Sequence, residues 1–187
     1  MIINDKERSI LQKYRPLLES NPPRIQEFYE NLIMEENLST VAIGRFIQMF
    51  PTKTRQRILY SLDYLPDGFL AKCPLEFIII PKGIGTIGAG CFFRAPNLSH
   101  IKFEDGCICR HIHYGAFDTC SKLSKVELPE SILSIGEYCF NECDSLTELH
   151  YKGSALKFST IDLKHNWLEG SKIKKIICND RELKVNG

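Results

Sequence analysis

The sequence lacks the charge imbalance and the long apolar segments that would direct it to a nucleic acid or a membrane. It has 24 Lys and Arg residues against 23 Asp and Glu residues, a formal net charge of +1. A chain this close to neutral has no overall electrostatic attraction to nucleic acid or anionic lipid. It contains no apolar run near the ~20 residues that a membrane-spanning helix needs. Residues 1–8 do not show the basic-then-apolar order of a secretory signal peptide, so we expect a cytoplasmic protein.

Residues 1–66 carry apolar side chains at helical spacing and predict about four short helices. In each segment the apolar residues recur at i, i+3 or i+4 and i+7, as on the buried face of a helix. Pro22-Pro23, Ser39-Thr40 and Pro51-Thr52 are helix-start signals, and Pro16 is expected to bend or shorten the first helix. The four apolar stripes are Ile10, Leu11, Tyr14, Leu17 and Leu18; Ile25, Phe28, Tyr29, Leu32 and Ile33; Ile43, Phe46, Ile47 and Phe50; and Ile58, Leu59, Leu62 and Leu65.

Two interpretations of these helices remain open. A repeat array has an exposed apolar end, and the helices would cap it. Alternatively, the third and fourth stripes form a helix-turn-helix in which Lys53, Arg55 and Arg57 contact phosphate groups. Cations in the first turn of a helix oppose the helix dipole, so their presence favours the interpretation in which they contact phosphate groups. The near-zero net charge favours the cap.

An aromatic residue begins each unit of an internal repeat in the remaining two thirds of the chain. The aromatic positions are separated by 23, 25, 23 and 27 residues. A period in the twenties with apolar residues at fixed offsets predicts a solenoid. The aromatic positions are Phe69, Phe92, Phe117, Phe140 and Trp167; the apolar positions after them are Leu75, Leu98, Leu123, Leu146 and Ile173, then Ile78, Ile101, Val126, Leu149 and Ile176, then Ile80, Phe103, Leu128, Tyr151 and Cys178.

The third repeat, residues 115–136, reads GAFDTCSKLSKVELPESILSIG. It resembles the BspA-like, or Treponema pallidum-type, leucine-rich repeat: an aromatic, a Cys, a Leu, an alternating strand, a Pro, and an Ile-x-x-Ile-Gly closing turn. The resemblance covers roughly residues 67–178 and excludes the helical segment. It implies a leucine-rich-repeat solenoid that binds rather than catalyses. By analogy, it also implies a bacterial or phage protein that binds or inhibits a cellular protein.

The predicted fold is therefore α+β. Residues 1–66 form a bundle of about four short helices that caps the solenoid, which occupies residues 67–187. Stacked repeats pair their strands into a parallel β-sheet of about five strands. Glu182-Leu183-Lys184-Val185 reads as a C-terminal capping strand, and Gly88 and Gly136 are expected to permit the tight turns between repeats.

The eight cysteines follow the repeat rather than a disulfide pattern. Cys120 and Cys143 share one repeat position, and Cys91 and Cys139 share another. Small residues placed by a repeat are most simply buried in columns, and without a secretion signal we expect reduced thiols.

A segment in the second repeat alternates metal-capable side chains with apolar ones: Cys107, Cys109, His111 and His113. On a strand all four would face one side, but the outer pair would lie about 20 Å apart, too far to share one zinc ion. The alternative is that Ile108 and Ile112 fill the core and leave the other four at the surface. The segment is a weak metal candidate, and we expect no metal or other cofactor.

No catalytic motif accompanies the repeats. Residues 83–88 match the dinucleotide fingerprint G-x-G-x-x-G, but they align with residues 131–136 of the third repeat and lack the strand–helix setting that the fingerprint needs. None of the five histidines belongs to a nucleophile motif. We therefore expect a non-enzymatic protein.

Binding is expected on the strand residues that point away from the core. They form two columns, in which opposite charges such as Lys125 and Glu148, Glu148 and Lys175, or Lys102 and Glu127 would be neighbours. We expect the helices to cover the apolar members near them and the final strand to cover Ile177, and any that stay exposed are candidate anchors for a partner. This face predicts a module that binds another protein, and nucleic-acid binding through the helices is the alternative. The face comprises Phe77, Ile79, His100, Lys102, Lys125, Glu127, Glu148, His150, Lys175 and Ile177.

Overall fold

The computed structural model of the protein describes residues 3–19, 38–50 and 52–185. Three helices precede the solenoid in the described chain: α1 (Asp5–Glu19), α2 (Thr40–Gln48) and α3 (Thr52–Tyr60). The predicted stripe from Ile25 to Ile33 lies outside the described residues, so the four-helix bundle is not confirmed. The helix α1 continues past Pro16 to Glu19, and Pro16 therefore does not end it.

The helix α2 has the start and the buried face that its sequence predicts. The Ser39 hydroxyl caps it by accepting a hydrogen bond of 3.1 Å from the Ala42 N–H. Its apolar stripe is buried to 3% exposure or less at Ile43, Phe46 and Ile47 and at Phe50, just beyond the helix. The fourth predicted stripe is shorter than expected, because α3 ends at Tyr60 and Leu65 lies in a strand.

The main sheet confirms the strands predicted from the repeat. Five parallel strands stack in chain order, and each pairs with the strand one repeat later. The C-terminal capping strand is also confirmed, and it runs antiparallel to its neighbour. The strands of this sheet are β2 (Phe77–Ile80), β4 (His100–Phe103), β6 (Lys125–Leu128), β8 (Glu148–Tyr151), β10 (Lys175–Ile177) and β11 (Glu182–Lys184).

A second parallel sheet, which the sequence did not predict, forms the opposite wall of the solenoid. Its strands have two residues each and pair in chain order. A short helix, α4 (Ala155–Phe158), precedes the last of them. The division between domains at residues 66 and 67 stays a prediction. The strands are β1 (Tyr64–Leu65), β3 (Thr86–Ile87), β5 (His111–Ile112), β7 (Ser134–Ile135) and β9 (Asp162–Leu163).

The repeated aromatic residues form a column between the two sheets. Phe117 is fully buried, and its ring stacks on Phe92 at 5.4 Å and on Phe140 at 5.5 Å. Trp167 is half-buried and meets Phe140 edge-on, with ring centroids 6.3 Å apart. Phe92, Phe117 and Phe140 therefore form a stack, and Trp167 extends it edge-on toward the C-terminal end of the solenoid.

The cysteines are packing residues. All eight are buried and free of disulfides. The Cys120 thiol lies 3.1 Å from the Phe92 carbonyl oxygen, and the Cys143 thiol lies 3.2 Å from that of Phe117, each one turn back. Burial raises the pKa of Cys73 to about 11 and that of Cys120 to about 12. These thiols are therefore protonated at neutral pH and poor nucleophiles.

The helix α2 packs directly against the first turn of the solenoid. A Cβ atom at Gly44 would lie 1.7 Å from the Phe69 carbonyl oxygen, so only glycine allows this approach. The Thr40 hydroxyl donates to the Asp67 carbonyl, and the Tyr60 hydroxyl donates to the Glu104 carboxylate. The buried residues of the helices and the solenoid form one continuous hydrophobic cluster. That the helices act as a cap stays a prediction.

Candidate functional site

The ten outward strand residues named above lie together on one surface, which we call the outer face. Burial alternates along each strand, so that Ile78, Ile101 and Val126 are buried while their neighbours on either side are exposed or half-buried. Strand register places Phe77 beside His100 and Lys102 beside Glu127. The structure therefore brings these residues together, and their role in binding stays a prediction.

Ion pairs occupy the centre of the outer face, around Glu127. Its carboxylate lies 2.7 Å from the Lys125 ammonium and 3.2 Å from His100 Nε2. The hydrogen bond from Lys125 is the main cause that lowers the pKa of Glu127, and His100 adds to it. The predicted pair between Lys102 and Glu127 is not found in the described chain, because Glu127 already accepts from these two other groups.

A second group of charges surrounds Glu148. Its carboxylate lies 2.9 Å from His150 Nε2 and 3.2 Å from the Lys175 ammonium. The hydrogen bond from His150, then that from Lys175, lowers the pKa of Glu148. The predicted Glu148–Lys175 pair is therefore confirmed. No ion pair between Lys125 and Glu148 occurs among the described residues, since Lys125 turns to Glu127 on its own strand.

The charged centre of the outer face is largely self-neutralised. Partly exposed ion pairs of this kind contribute about 0–1 kcal/mol each to stability. A partner that approaches Glu127 or Glu148 must compete with cations already in contact with these carboxylates. The centre is thus better suited to determining which partners are excluded than to supplying affinity.

The N-terminal end of the outer face is apolar. Phe77 is 46% exposed and Ile79 is 41% exposed, and the Phe77 ring lies 5.0 Å from the His100 ring. The predicted cover by the helices is incomplete, because a cavity of ≈ 170 Å³ separates them from β2. We call this cavity the β2 groove. Its lining residues are Ile47, Gln48, Arg55, Gln56, Leu59, Tyr60, Leu75, Phe77, Ile78 and Ile79.

Sequence reasoning missed the helical side of the β2 groove. The helical spacing predicts that Leu59 lies on a buried stripe and does not single out Tyr60. Leu59 is only half-buried in the structure, and Tyr60 is 56% exposed. Their position at the end of a helix that directly precedes the solenoid is the feature of the sequence that could have indicated a role at this boundary. At the opposite end of the outer face, Ile177 is half-buried beside β11, as expected from the final strand.

The three cations of the nucleic-acid alternative differ in exposure and in their contacts. Lys53 is exposed, whereas Arg55 and Arg57 are half-buried. Arg55 donates to the Gln48 side-chain oxygen at 3.2 Å, and Arg57 donates to the Glu19 carbonyl at 3.1 Å. The two arginines therefore hold helices together, and a phosphate would have to displace these contacts.

The metal-capable segment of the second repeat does not form a strand with one polar face. Cys107 and Cys109 are buried, and Ile108 is 55% exposed. His111 is half-buried, with Nδ1 2.9 Å from Ser134 Oγ, and His113 is exposed. The common face for all four residues is therefore not observed. The alternative is correct for Ile112, which is buried, and for His113, which is exposed. It is wrong for Ile108, Cys107 and Cys109.

The physical reason is that strand β5 includes only His111 and Ile112, and residues 107–110 belong to no strand. Burial alternates from Cys107 to Arg110 and changes phase before Ile112, so the four metal-capable residues do not share one face. The described residues contain no group of three or more His, Cys, Asp or Glu side chains arranged to hold a metal ion.

The glycines at the repeat boundaries allow close contact between turns. A Cβ atom at Gly88 would lie 2.6 Å from the Asp67 nitrogen, and one at Gly136 would lie 2.5 Å from the Tyr114 nitrogen. Neither glycine has a left-handed φ. The expected tight turn is therefore not the reason for glycine here. The close approach of the preceding turn accounts for glycine at both positions.

Within the described ranges, no helix has both the length and the apolar character that a membrane crossing requires.

Comparison with known proteins shows what the repeats are similar to. Residues 63–185 match the sequence model of the BspA type leucine rich repeat region, in six copies. A leucine rich cell surface protein from Faecalibacterium prausnitzii is 24% identical with a TM-score of 0.38, over 56% of this chain and 34% of that one. A leucine-rich repeat protein from Bacteroides ovatus is 23% identical with a TM-score of 0.32, over 64% of this chain and 37% of that one. The chain thus spans about a third of the length of these solved structures. No curated protein matches the sequence.

Proposed function

Because the chain belongs to the BspA-type leucine-rich repeat family, we propose that it is a non-enzymatic module that binds another protein through its outer face. Repeat arrays of this kind present extended surfaces to their partners. The observation that carries the proposal is the exposure of Phe77 and Ile79 beside a charged centre in which Glu127 and Glu148 are paired. An apolar anchor with a polar surround is the usual composition of a protein interface.

The contacts on the outer face suggest different roles for its apolar and its charged residues. Phe77 and Ile79 would supply affinity, because burying exposed apolar area is favourable at about 25 cal/mol per Å². The groups around Glu127 and Glu148 would select the partner, because each presents paired charges of fixed sign. The partner we propose is a cellular protein in the cytoplasm, and inhibition of that protein is the proposed consequence in a bacterial or phage setting.

Affinity capture with charge-reversed variants tests this function. Lys125→Glu and Glu148→Lys each reverse one charge in the centre of the outer face. Lys164→Glu is the matched control, because Lys164 also pairs with a carboxylate, Asp162 at 2.5 Å, but on the second sheet. The two outer-face variants are expected to lose capture of the partner that the unaltered protein retains, and the control is expected to keep it. Equal capture by all three variants would clear the outer face of this role.

A further inference from the structure

The two ends of the main sheet differ in how they are protected. At the C-terminal end, β11 carries the exposed charges Glu182 and Lys184. At the N-terminal end, β2 consists of Phe77, Ile78, Ile79 and Ile80 and has no charge. In the described chain, β4 is the only strand that pairs with β2. Proteins usually protect such edges with charges, because an unpaired apolar edge accepts further strands.

The backbone of β2 presents a defined set of hydrogen-bonding groups at this edge. The carbonyls of Glu76 and Ile80 accept hydrogen bonds from the Ser99 N–H at 2.9 Å and the Glu104 N–H at 3.0 Å, on the side of β4. Backbone groups of successive strand residues point to alternate sides. The N–H and C=O groups of Phe77 and Ile79 therefore point away from β4, and their side chains lie on the outer face.

The β2 groove adjoins this edge and has the size of one side chain. Its volume is ≈ 170 Å³. An apolar cavity of about 150 Å³ accommodates a benzene ring, whereas sites for whole drug-sized ligands measure about 300–1,000 Å³. Leu59 and Leu75 contribute its apolar walls together with Phe77. The groove thus fits one aromatic or large aliphatic side chain projecting from a chain that lies along β2.

The charge and the space at the β2 groove further restrict the kind of molecule that can occupy it. Arg55 is the one ionised side chain among the described residues that line the groove, and it already donates to Gln48, so the groove offers mainly apolar contact. A second copy of this protein is a poor occupant, because its own β2 is flanked by its own α3 and would bring that helix into the same space. A single extended segment requires only the ~4.8 Å that separates neighbouring strands.

We propose that an extended apolar segment of the partner protein adds to the main sheet as a strand beside β2 and places one side chain in the β2 groove. Main-chain hydrogen bonds to Phe77 and Ile79 supply affinity, and the groove supplies specificity, as in other cases of strand addition. The proposal rests on the proposed function as a protein-binding module, and it assigns the class of partner segment.

Selection of random heptapeptides displayed on phage tests the proposal. The unaltered protein is expected to enrich peptides with alternating apolar residues. Ile79→Pro removes one N–H from the open edge without removing a hydrogen bond to β4, since prolines are tolerated on edge strands. Ile79→Val keeps the N–H and the β-branched shape, and is the matched control. Circular dichroism establishes that both variants are folded.

Binding of one enriched peptide is expected to weaken at least about tenfold in Ile79→Pro and to change little in Ile79→Val, given the net contribution of a backbone hydrogen bond and of the strand geometry around it. The absence of enrichment, or equal binding to both variants, would overturn the proposal.

N-methylation of the enriched peptide provides a test on the unaltered protein, which holds even if Ile79→Pro does not fold. Methylating the amides on one edge of the peptide is expected to abolish binding, and methylating those on the other edge is expected to leave it unchanged. Equal effects on both edges would contradict strand addition. A dimer in sedimentation velocity that Ile79→Pro dissociates would instead assign the edge to a second copy. If peptides do not bind while partner capture still depends on Lys125 and Glu148, strand addition fails and the proposed function stands.

Discussion

The substitution Gly44→Ala distinguishes a helix docked on the solenoid from one that merely precedes it. Gly44 is buried in the middle of α2. On an undocked helix, replacing a glycine by alanine is stabilising by about 1 kcal/mol, because alanine has the higher helix propensity. In the structure the added Cβ would lie 1.7 Å from the Phe69 carbonyl oxygen and 2.7 Å from its carbon. Ordinary contact begins near 3.4 Å.

The size of the expected change in the free energy of unfolding depends on which part of the protein must move to accept the added Cβ atom. The obstacle is backbone of the first solenoid turn, so no side-chain rotation relieves the overlap, and α2 must shift away from Phe69. Overpacking of this kind typically costs about 1–3 kcal/mol, and occasionally more. Subtracting the gain in helix propensity of about 1 kcal/mol leaves an expected net destabilisation of up to about 2 kcal/mol. The sign of the change therefore depends on the docking.

Urea unfolding followed by circular dichroism measures the effect as a change in the free energy of unfolding. Gly83→Ala is the control, because a Cβ atom there meets no atom within 4 Å and Gly83 lacks a left-handed φ. We expect the control to be neutral or stabilising by up to about 1 kcal/mol. An increase in stability for Gly44→Ala would refute the close contact between α2 and the first turn.

Four further predictions concern the core, the outer face and the thiols. Phe117→Ala is expected to destabilise the protein by about 4 kcal/mol in urea unfolding, and Trp167→Ala by about half as much, because only Phe117 is stacked on both sides. The lowered pKa of Glu127 contributes stability that is present above the ordinary glutamate pKa of 4.5 and is lost as the pH falls through the still lower folded-state value. Glu127→Gln should therefore flatten the acid limb of a stability-against-pH profile. Alkylation with iodoacetamide at pH 8 is expected to modify the buried thiols slowly in the native protein and rapidly in urea, since burial raises their pKa. A fluorescence-anisotropy titration with duplex DNA at low salt is expected to show no salt-sensitive binding, because Arg55 and Arg57 already donate to protein groups.

Each of these four measurements has an outcome that would contradict the reasoning behind the prediction. Equal losses of stability for Phe117→Ala and Trp167→Ala would mean that the middle and the end of the aromatic column do not differ in packing. An unchanged acid limb in Glu127→Gln would remove Glu127 from the pH dependence. Rapid native alkylation would place thiols at the surface, and binding to DNA that weakens as salt rises would restore the helical segment as a nucleic-acid site.

The repeat was predictable because each strand residue pairs with its equivalent one turn later. Once the interval between Phe92 and Phe117 is known, the pairing of Ile101 with Val126 follows without further information. The second sheet was not predictable in the same way. Strands such as Ser134–Ile135 have two residues, which is too short for alternation to be seen in a sequence.

The segment around Cys107 shows where repeat reasoning fails. Two extra residues in the second repeat interrupt the alternation, and the strand assumed there reduces to His111 and Ile112. Alternation of residue types indicates a common face only while the backbone stays extended. Outside the strand the phase changes between Cys109 and Ile112, so both residues are buried although they are three positions apart.

The sequence by itself determined the solenoid, its parallel main sheet, the column of buried aromatic residues and the membership of the outer face. These features depend on backbone periodicity, which a spacing of apolar residues records directly. The tertiary structure alone decided that Glu127 pairs with Lys125 and His100, that Gly44 rests on Phe69, and that a groove lies between α3 and the open edge of β2. Such contacts join the helical segment, which has no repeat, to the first turn of the array, and they depend on distances between elements that no sequence interval specifies.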